Sequence, residues 1–518
     1  MLVQKYLENS ALRLPDKTAL ICGNKRLTYR QINDSANRVA ASLIKMGIKR
    51  QNRVVVFLDN SPEAVISLYG ILKAGAIFII LNPQMKAKKL SYILKDSGAC
   101  CLLTHASKAQ VIAGAISDLE ELKHIIWVGP DHAISLISPV STVNYHSWDR
   151  VLSDDLSSDA DSIQKPIDID LATIIYTSGS TGYPKGVMSA HYNMVAAIES
   201  ITQYLENVEE DIILNALPLS FDYGLYQILM AFSVGATVVL EKSFSYPQPI
   251  IERLVHEKVT GFPLVPTIAA ILLRMETLGR YDLSALQYIS STGAPFPVPH
   301  IKRLRELLPH VKIYSMYGLT ECKRVSYVPP DQIDMKPDSV GIPMANVEAL
   351  VFNEEGQELE EGQIGELVVR GSNVMQGYWN DPSETSRTFR PGRYRGETLL
   401  YTGDLFRKDR DGYLYFVARR DALIKTGGER VSPKEIENSL NELEDVLEVA
   451  AIGIPDEILG QAIKVFIVTN GASTLTEHIV MRHCRENLEP FMTPKYVEFK
   501  DSLPKLNTGK IDKKRLVQ

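Results

Sequence analysis

Short apolar runs alternate with amphipathic helical stretches along most of this chain, and this alternation limits the folds it can adopt. One example is a strand-like run at residues 53–58, a helical pattern over 62–74 and a second apolar run at 76–81. Because parallel strands need crossover connections, which are usually helices, the pattern predicts an α/β fold with largely parallel sheets. At 518 residues the chain is too long for one ordinary core, so we expect at least two domains.

The domain boundary is expected near residue 421. Residues 401–420 are rich in turns, and the pattern after them changes to a shorter α+β alternation. Its helix and two strands are predicted at 433–441, 446–454 and 462–469. We therefore predict a large α/β domain with a β-barrel-like subdomain at 1–420, followed by a small α+β domain at 421–518.

Composition excludes several classes of protein. Lys and Arg number 56 against 62 Asp and Glu, a net charge of −6, which gives no electrostatic footprint for nucleic acid. No apolar run approaches the length of a membrane span, and the first residues lack an apolar signal core. Five cysteines without metal-ligand spacing fit a reducing compartment. We expect a cytoplasmic protein with neither a membrane nor a nucleic acid as partner.

The densest chemical signal is the segment 176–186 (YTSGSTGYPKG). A Ser- and Asp-rich surface loop at 152–165 and an apolar strand at 171–176 precede it, and a helix is expected after it. Small residues let backbone N–H groups approach phosphate oxygens, while hydroxyls and Lys185 add donors and charge. The segment is not a P-loop, since Lys185 follows Pro184. A flexible Gly/Ser linker is the alternative, but the ordered Pro-Lys-Gly ending favours a phosphate site.

This segment resembles the phosphate-binding loop of the adenylate-forming superfamily: acyl-CoA synthetases, peptide-synthetase adenylation domains and luciferases. Five further matches follow in the family's order, so that the resemblance covers essentially the whole chain. They are residues 291–294 (STGA), 317–321 (YGLTE), 401–404 (YTGD), 419–425 (RRDALIK) and 507–510 (NTGK). The resemblance implies a large domain and a small domain that rotates on a hinge. It also implies ATP and Mg²⁺ as cofactors, with activation of a carboxylic acid as an acyl-adenylate.

The resemblance assigns roles around the nucleotide. Lys510, Thr320 and Glu321 would be catalytic, with Lys510 bridging the carboxylate and the α-phosphate and Glu321 also holding the metal. Charge develops on phosphate oxygens during adenylation, which explains the need for cations and donors there. The remaining ATP- and AMP-binding residues would be Thr177, Ser178, Gly179, Ser180, Thr181, Gly182, Lys185, Gly293, Ala294, Pro295, Met316, Tyr317, Gly318, Asp404, Phe416 and Arg419. Among these, Tyr317 would stack on adenine and Asp404 would bind the ribose hydroxyls.

The same resemblance places the hinge and the thiol path. Asp421 matches the hinge residue, whose backbone rotation would exchange the adenylation and thioester-forming arrangements. Lys425, Gly427 and Gly428 would line the path of a pantetheine thiol, since glycines let it pass close to the backbone. A hairpin turn is the alternative for the two glycines.

The expected acid pocket contains Asp222, in the segment 217–224 (LPLSFDYG). Amino-acid-activating relatives carry this Phe-Asp pair, in which the Asp holds the substrate ammonium. An Asx turn before Gly224 is the alternative. By resemblance, the rest of the pocket would be Tyr223, Tyr226, Pro263, Ser290, Thr292 and Val325, with Met316 nearby. Arg324 lies close in sequence, but its direction is left open.

The run 317–327 (YGLTECKRVSY) is similar to that of free-standing proline ligases, which load a carrier protein. We therefore predict activation of a small amino acid, most simply L-proline, and transfer to a carrier protein in trans. The alternative is an acyl- or aryl-CoA ligase acting on a non-amino acid, with Asp222 only a turn residue. A non-catalytic relative is disfavoured because Lys510, Glu321 and Asp404 are all present, and luciferase-like oxygen chemistry is left open.

Overall fold

The computed structural model describes residues 1–117, 119–130, 142–153, 165–178, 184–420, 423–426, 429–456, 459–470, 473–488, 490–506 and 509–516. Its strands are β1 (Thr18–Cys22), β2 (Lys25–Thr28), β3 (Arg53–Phe57), β4 (Ile77–Ile80), β5 (Cys101–His105), β6 (His124–Val128), β7 (Asn144–Ser147), β8 (Leu171–Ser178), β9 (Pro184–Ala190), β10 (Ile212–Asn215), β11 (Thr237–Leu240), β12 (Gly261–Leu264), β13 (Tyr288–Ser291), β14 (Lys312–Tyr317), β15 (Ser326–Tyr327), β16 (Ile342–Pro343), β17 (Val347–Phe352), β18 (Gly365–Gly371), β19 (Gly377–Tyr378), β20 (Phe389–Pro391), β21 (Thr398–Lys408), β22 (Leu414–Arg419), β23 (Ile424–Thr426), β24 (Glu429–Val431), β25 (Val446–Asp456), β26 (Gly460–Thr469) and β27 (Tyr496–Phe499).

The helices connect these strands on both sides of the sheets. They are α1 (Gln4–Arg13), α2 (Tyr29–Lys45), α3 (Pro62–Lys73), α4 (Ala87–Ser97), α5 (Ala109–Ala113), α6 (Trp148–Ser153), α7 (His191–Leu205), α8 (Asp222–Val234), α9 (Pro247–His256), α10 (Pro266–Leu273), α11 (Val298–Leu307), α12 (Pro382–Thr388), α13 (Pro433–Leu440) and α14 (Glu477–Asn487). None of the helices in the described ranges is long and apolar enough to cross a bilayer.

Two large sheets form the first part of the chain. Their strand orders are β16-β15-β14-β13-β12-β10-β11-β1-β2 and β19-β9-β8-β4-β3-β5-β6-β7. The central pairs, such as β3 with β4 and β12 with β13, are parallel, whereas edge pairs such as β14 with β15 are antiparallel. The predicted α/β fold with largely parallel sheets is confirmed.

Helix α8 lies inside the largest hydrophobic core, and its burial explains its composition. The residues from Asp222 to Phe232 are all buried, so the helix carries almost no polar face. The core joins apolar side chains from both sheets, including Val54 of β3 and Val238 of β11. Only the N-terminal end of α8 reaches the cavity described below, and Asp222 lies in its first turn.

An antiparallel sheet and a separate C-terminal sheet complete the fold. The first has the order β17-β18-β21-β20, with β22 paired to β21, and the second has the order β24-β23-β26-β25, with β27 on β26. The C-terminal part contacts β22 through two hydrogen bonds: Ser432 Oγ donates to Val417 O at 2.5 Å and Lys434 Nζ donates to Phe416 O at 3.1 Å. Burial lowers the pKa of Lys434 to about 8.

One local expectation was wrong. The segment expected to lead from the phosphate loop into a helix is strand β9, which pairs antiparallel with β8, Thr177 facing Lys185. The described residues on either side of 179–183 therefore form the two arms of a hairpin, and helix α7 begins only at His191. Five of the seven residues in 184–190 are buried without strict alternation, so no period of two in the sequence marks this strand. Most of the expected loop at 152–165 lies outside the described residues.

Candidate active site

The candidate site lies where strands of the first sheet end. Thr292 and Gly293 follow β13, Gly318 and Thr320 follow β14, and Asp222 opens α8 after β10. In parallel sheets, ligands bind at the carboxyl ends of the strands, and these residues meet at that edge. They surround a small cavity. Its lining is Phe221, Asp222, Tyr223, Thr292, Gly293, Gly318, Leu319, Thr320, Lys323, Arg324 and Lys510.

Lys510 reaches this cavity from the other end of the chain. It follows Gly509, whose φ of +82° suits glycine and turns the chain, and Leu506 N donates to Lys510 O at 2.7 Å. A Cβ placed on Gly293 would lie 3.5 Å from Lys510 Cε, so the lysine passes directly beside that glycine. Burial lowers the pKa of Lys510, and the nearby carboxylates of Asp222 and Asp404 oppose that shift.

Asp404 is a buried carboxylate, 4% exposed, beside the nucleotide residues that the motifs predict. The Tyr317 hydroxyl donates to its Oδ2, and Arg419 Nε lies 3.0 Å from its Oδ1. That Oδ1 is buried without a well-directed hydrogen bond from the described residues. Burial raises the pKa of Asp404, which indicates a carboxylate short of donors. Two adjacent ribose hydroxyls would supply the hydrogen-bond donors that this carboxylate oxygen lacks.

Glu321 is the expected metal ligand. Its Oε1 accepts a hydrogen bond from the Tyr378 hydroxyl at 2.7 Å. The described residues contain no group of three or more His, Cys, Asp or Glu side chains placed to hold a metal ion. Mg²⁺ at nucleotide sites usually takes one or two carboxylates together with phosphate oxygens and water. The residues present therefore fit an ion shared between Glu321 and a nucleotide, where it would neutralise phosphate charge.

Lys185, the cation of the phosphate hairpin, is already paired. Its Nζ lies 2.8 Å from Oε1 of Glu384, and both side chains are largely buried. Arg387 also contacts Glu384, at 2.6 Å, and together the two cations lower the pKa of that carboxyl. Phosphate binding by Lys185 would therefore compete with Glu384. Gly179, Ser180, Thr181 and Gly182 lie outside the described residues, as does the side chain of Ser178.

The acid end of the cavity contains an ion pair that the sequence did not predict. Lys323 Nζ lies 3.8 Å from Oδ2 of Asp222, and the two residues are 3% and 7% exposed. The same ammonium is 4.5 Å from the ring centroid of Tyr226 and 5.4 Å from that of Tyr223. Burial lowers the pKa of Lys323 to about 7, against the attraction of Asp222.

Backbone geometry keeps this lysine in place. Lys323 has φ of 64°, a left-handed conformation that non-glycine residues seldom adopt. A Cβ at Gly318 would lie 2.3 Å from Lys323 O and 2.8 Å from Arg324 Cα, so only glycine permits this close approach. Strained residues concentrate at functional sites, which makes Lys323 a candidate pocket residue.

Arg324, whose direction the sequence left open, points into the cavity. Its side chain is among the largest that are fully buried, and it is 2% exposed. Its Nη1 donates to Thr292 Oγ1 at 2.6 Å, and its Cζ lies 5.4 Å from the Tyr223 ring centroid. The adjacent basic pair at 323–324, close to the motif residues 317–321, was the only signal for these two residues.

The other predicted acid-pocket residues differ in how close they lie to the cavity. Tyr223 donates its hydroxyl to Ser290 O at 2.8 Å, and Pro263 pairs with Ser290 across β12 and β13. Tyr226 is buried beneath Lys323, so it contacts the pocket through that side chain. Val325 belongs to the hydrophobic core under the antiparallel sheet and does not line the cavity.

The remaining predicted nucleotide residues lie on the first sheet and on the antiparallel sheet. Gly293, Ala294 and Pro295 follow β13, and Gly293 has φ of +91°. Met316 of β14 is buried and accepts a contact from the Tyr204 hydroxyl at 3.0 Å. Phe416 packs against Phe406, their ring centroids 5.6 Å apart.

The hinge and the thiol path fall largely beyond the described ranges. Asp421, Gly427 and Gly428 lie outside the described residues. Lys425 is in β23 and pairs with Arg430 of β24, so its backbone forms one arm of a hairpin. The hinge and thiol-path assignments stay predictions.

Fold and site together define a class of enzyme, and family models agree. A model described as "AMP-binding enzyme" matches residues 7–379, and one described as "AMP-binding enzyme C-terminal domain" matches residues 435–510. The chain belongs to this AMP-binding, adenylate-forming family, and it is an AMP-forming acid–thiol ligase. The family uses ATP.

Individual relatives come from two branches. A long-chain-fatty-acid–CoA ligase of Bacillus subtilis (strain 168) is 32% identical over 100% of this chain and 94% of its own length. Bacitracin synthase 1 of Bacillus licheniformis is 30% identical over 99% of this chain but 9% of its own length. The chain thus spans nearly the whole length of the first relative and a small part of the second.

Solved structures give the same architecture. An anthranilate CoA ligase, AuaEII, in complex with anthranoyl-AMP has a TM-score of 0.89 at 28% identity, covering 100% of this chain and 96% of that one. ATP-bound MatB from Rhodopseudomonas palustris has a TM-score of 0.86 at 27% identity, covering 100% and 98%. The large N-terminal and small C-terminal parts are those of adenylate-forming enzymes.

Proposed function

We propose that this enzyme activates a small carboxylic acid that carries no α-ammonium group and transfers the acyl group to the thiol of CoA. The observation that carries the proposal is the Asp222–Lys323 ion pair. A buried carboxylate needs a cationic partner, and here the chain itself supplies one, 3.8 Å away. The negative charge of Asp222 is therefore already paired with Lys323 before any substrate ammonium binds.

Roles around the nucleotide follow from the geometry described above. Lys510 would hold the acid's carboxylate against the α-phosphate, Asp404 would bind the ribose, and Glu321 would share Mg²⁺ with the phosphates. The carboxylate oxygen attacks the α-phosphorus and pyrophosphate leaves; the thiol then attacks the acyl carbon and AMP leaves. Rotation at Asp421 between domains at 1–420 and 421–518 would separate the two reactions.

We propose CoA as the acceptor of the acyl group, because the relatives that match this chain over nearly their whole length are named as CoA ligases. The fatty-acid ligase and the anthranilate ligase both match this chain from end to end. The bacitracin synthase matches it only as a part of a much longer protein.

A second candidate function is activation of a small amino acid, L-proline in particular, for a carrier protein in trans. One observation favours it: burial lowers the pKa of Lys323 to about 7, which weakens the attraction between its ammonium and Asp222 near neutral pH. Asp222 would then be free to accept a substrate ammonium.

Two ring acids of nearly the same shape can be used to distinguish the two candidate functions. ATP–pyrophosphate exchange is measured with proline and with cyclopentanecarboxylate, and AMP release is measured with CoA and with a phosphopantetheinylated carrier protein. Exchange with non-amino acids and formation of a CoA thioester support the main proposal. Exchange that depends on an amino acid, with transfer only to the carrier, would overturn it in favour of the second candidate.

A further inference from the structure

We propose that the acid substrate carries a second carboxylate, and that Arg324 binds it. The substrate class would then be small dicarboxylic acids, activated at one end and held by Arg324 at the other. This inference rests on the proposed function, because it specifies the acid that the ligase takes.

The first argument is the missing anion beside Arg324. The guanidinium is 2% exposed, and no Asp or Glu of the described ranges forms an ion pair with it. Its partners there are neutral groups, among them the Thr292 hydroxyl at 2.6 Å and the Tyr223 ring. Its Nε is buried with no hydrogen-bond partner in the same part of the chain. A guanidinium offers donors in a fork that matches a carboxylate, and here part of that fork is unused.

The second argument is the charge of the cavity. Three cations line it, Lys323, Arg324 and Lys510, against one lining carboxylate, Asp222. Lys323 lies nearest to Asp222, at 3.8 Å, and Lys510 also faces the carboxylates of the nucleotide side. The charge left without compensation is that of Arg324. Burying a charge without a partner is costly, so an anionic ligand group would be favoured at this position.

The third argument is the position of Arg324 relative to the reacting end. Thr320 and Lys510, expected at the α-phosphate, line the same cavity as Arg324. One acid bound in this cavity would therefore contact both ends at once.

The test compares acids that differ only in the second carboxylate. ATP–pyrophosphate exchange is measured for butyrate and succinate, pentanoate and glutarate, and benzoate and phthalate. We expect kcat/KM of the wild-type enzyme to favour at least one diacid over its partner by about 30-fold or more, the effect of pairing one buried charge. Monocarboxylates that are activated as well as their diacids would overturn the proposal, whatever the behaviour of any variant.

Variants then assign the preference to Arg324. Arg324→Met removes the charge and keeps an unbranched side chain, and it should abolish the diacid preference by lowering kcat/KM for the diacid far more than for its monocarboxylate. Arg324→Lys should restore part of the preference. Arg303→Met, an exposed arginine of α11 paired with Glu306, is the matched control and should change neither rate. Equal losses for both acids in Arg324→Met would show a structural role and overturn the assignment.

Failure of this inference differs from failure of the proposed function. Monocarboxylates that form CoA thioesters faster than diacids would leave the ligase proposal intact and reject the dicarboxylate. Proline exchange exceeding that of every non-amino acid would reject the ligase proposal itself.

Discussion

The two ends of the cavity handle charge in different ways. At the nucleotide end, Asp404 keeps a buried oxygen without a well-directed donor from the described residues, and Lys510 has a pKa lowered by burial. At the acid end, Asp222 already has Lys323 as its partner. We propose that the nucleotide end is thus arranged to bind groups supplied by the ligand. The acid end is largely compensated by the chain itself, and the Arg324 charge is left over for selecting a substrate.

Removing Lys510 should produce the largest loss and confine it to one reaction. Because its cation would act on charge that develops at the α-phosphate, Lys510→Ala should slow ATP–pyrophosphate exchange about 10²–10³-fold. Thioester formation from preformed acyl-adenylate should continue at nearly the wild-type rate. Lys505→Ala, a neighbouring lysine paired with Glu448, is the control. Normal exchange in Lys510→Ala would show that the nucleotide end does not depend on this cation.

Breaking the Asp222–Lys323 ion pair should lower the stability of the protein. Lys323→Met leaves the Asp222 carboxylate buried without its partner, which should lower the free energy of unfolding by about 3 kcal/mol. The double variant Asp222→Asn/Lys323→Met should recover much of this loss, measured by urea denaturation.

Lys312→Met is the matched control for that experiment, because Lys312 pairs with Glu206 on the surface. Exposed pairs contribute little, so its effect should be far smaller. If Lys323→Met is as harmless as Lys312→Met, the acid end is not compensated internally, and Asp222 is available for a substrate ammonium.

The smallest effect is expected at the phosphate hairpin. Lys185 is held by Glu384, and Glu384→Gln should free it for phosphate and lower the KM for ATP about threefold. Arg387→Gln removes the other cation on Glu384 and should raise that KM slightly, because Glu384 would then hold Lys185 more firmly. A KM for ATP that does not respond to either change would mean that Lys185 does not exchange between the two partners.

The sequence predicted the positions of helices and strands better than it predicted which strands pair. Strand β3 and helix α3 fall where the apolar runs placed them, because period and burial agree locally. The segment after the phosphate loop was misread as helical, because a short apolar run fits either a helix or a strand until its partner is known. The β8–β9 hairpin is such a pairing, and it is decided by contacts across the sheet.

The sequence by itself determined the family and the alternating order of the elements, and it predicts the nucleotide motifs, since motifs of fixed spacing carry those features. Only the tertiary structure decided which charges meet. Asp222 and Lys323 are about a hundred positions apart, and their pairing depends on the end of β14 lying beside the start of α8. Arg324 follows Lys323 directly, yet it has neutral partners and an unpaired Nε, because the fold turns it towards Thr292, and it forms no ion pair with a carboxylate of the described ranges. Burial sets how strongly a charge needs a partner, and burial is a property of the assembled fold.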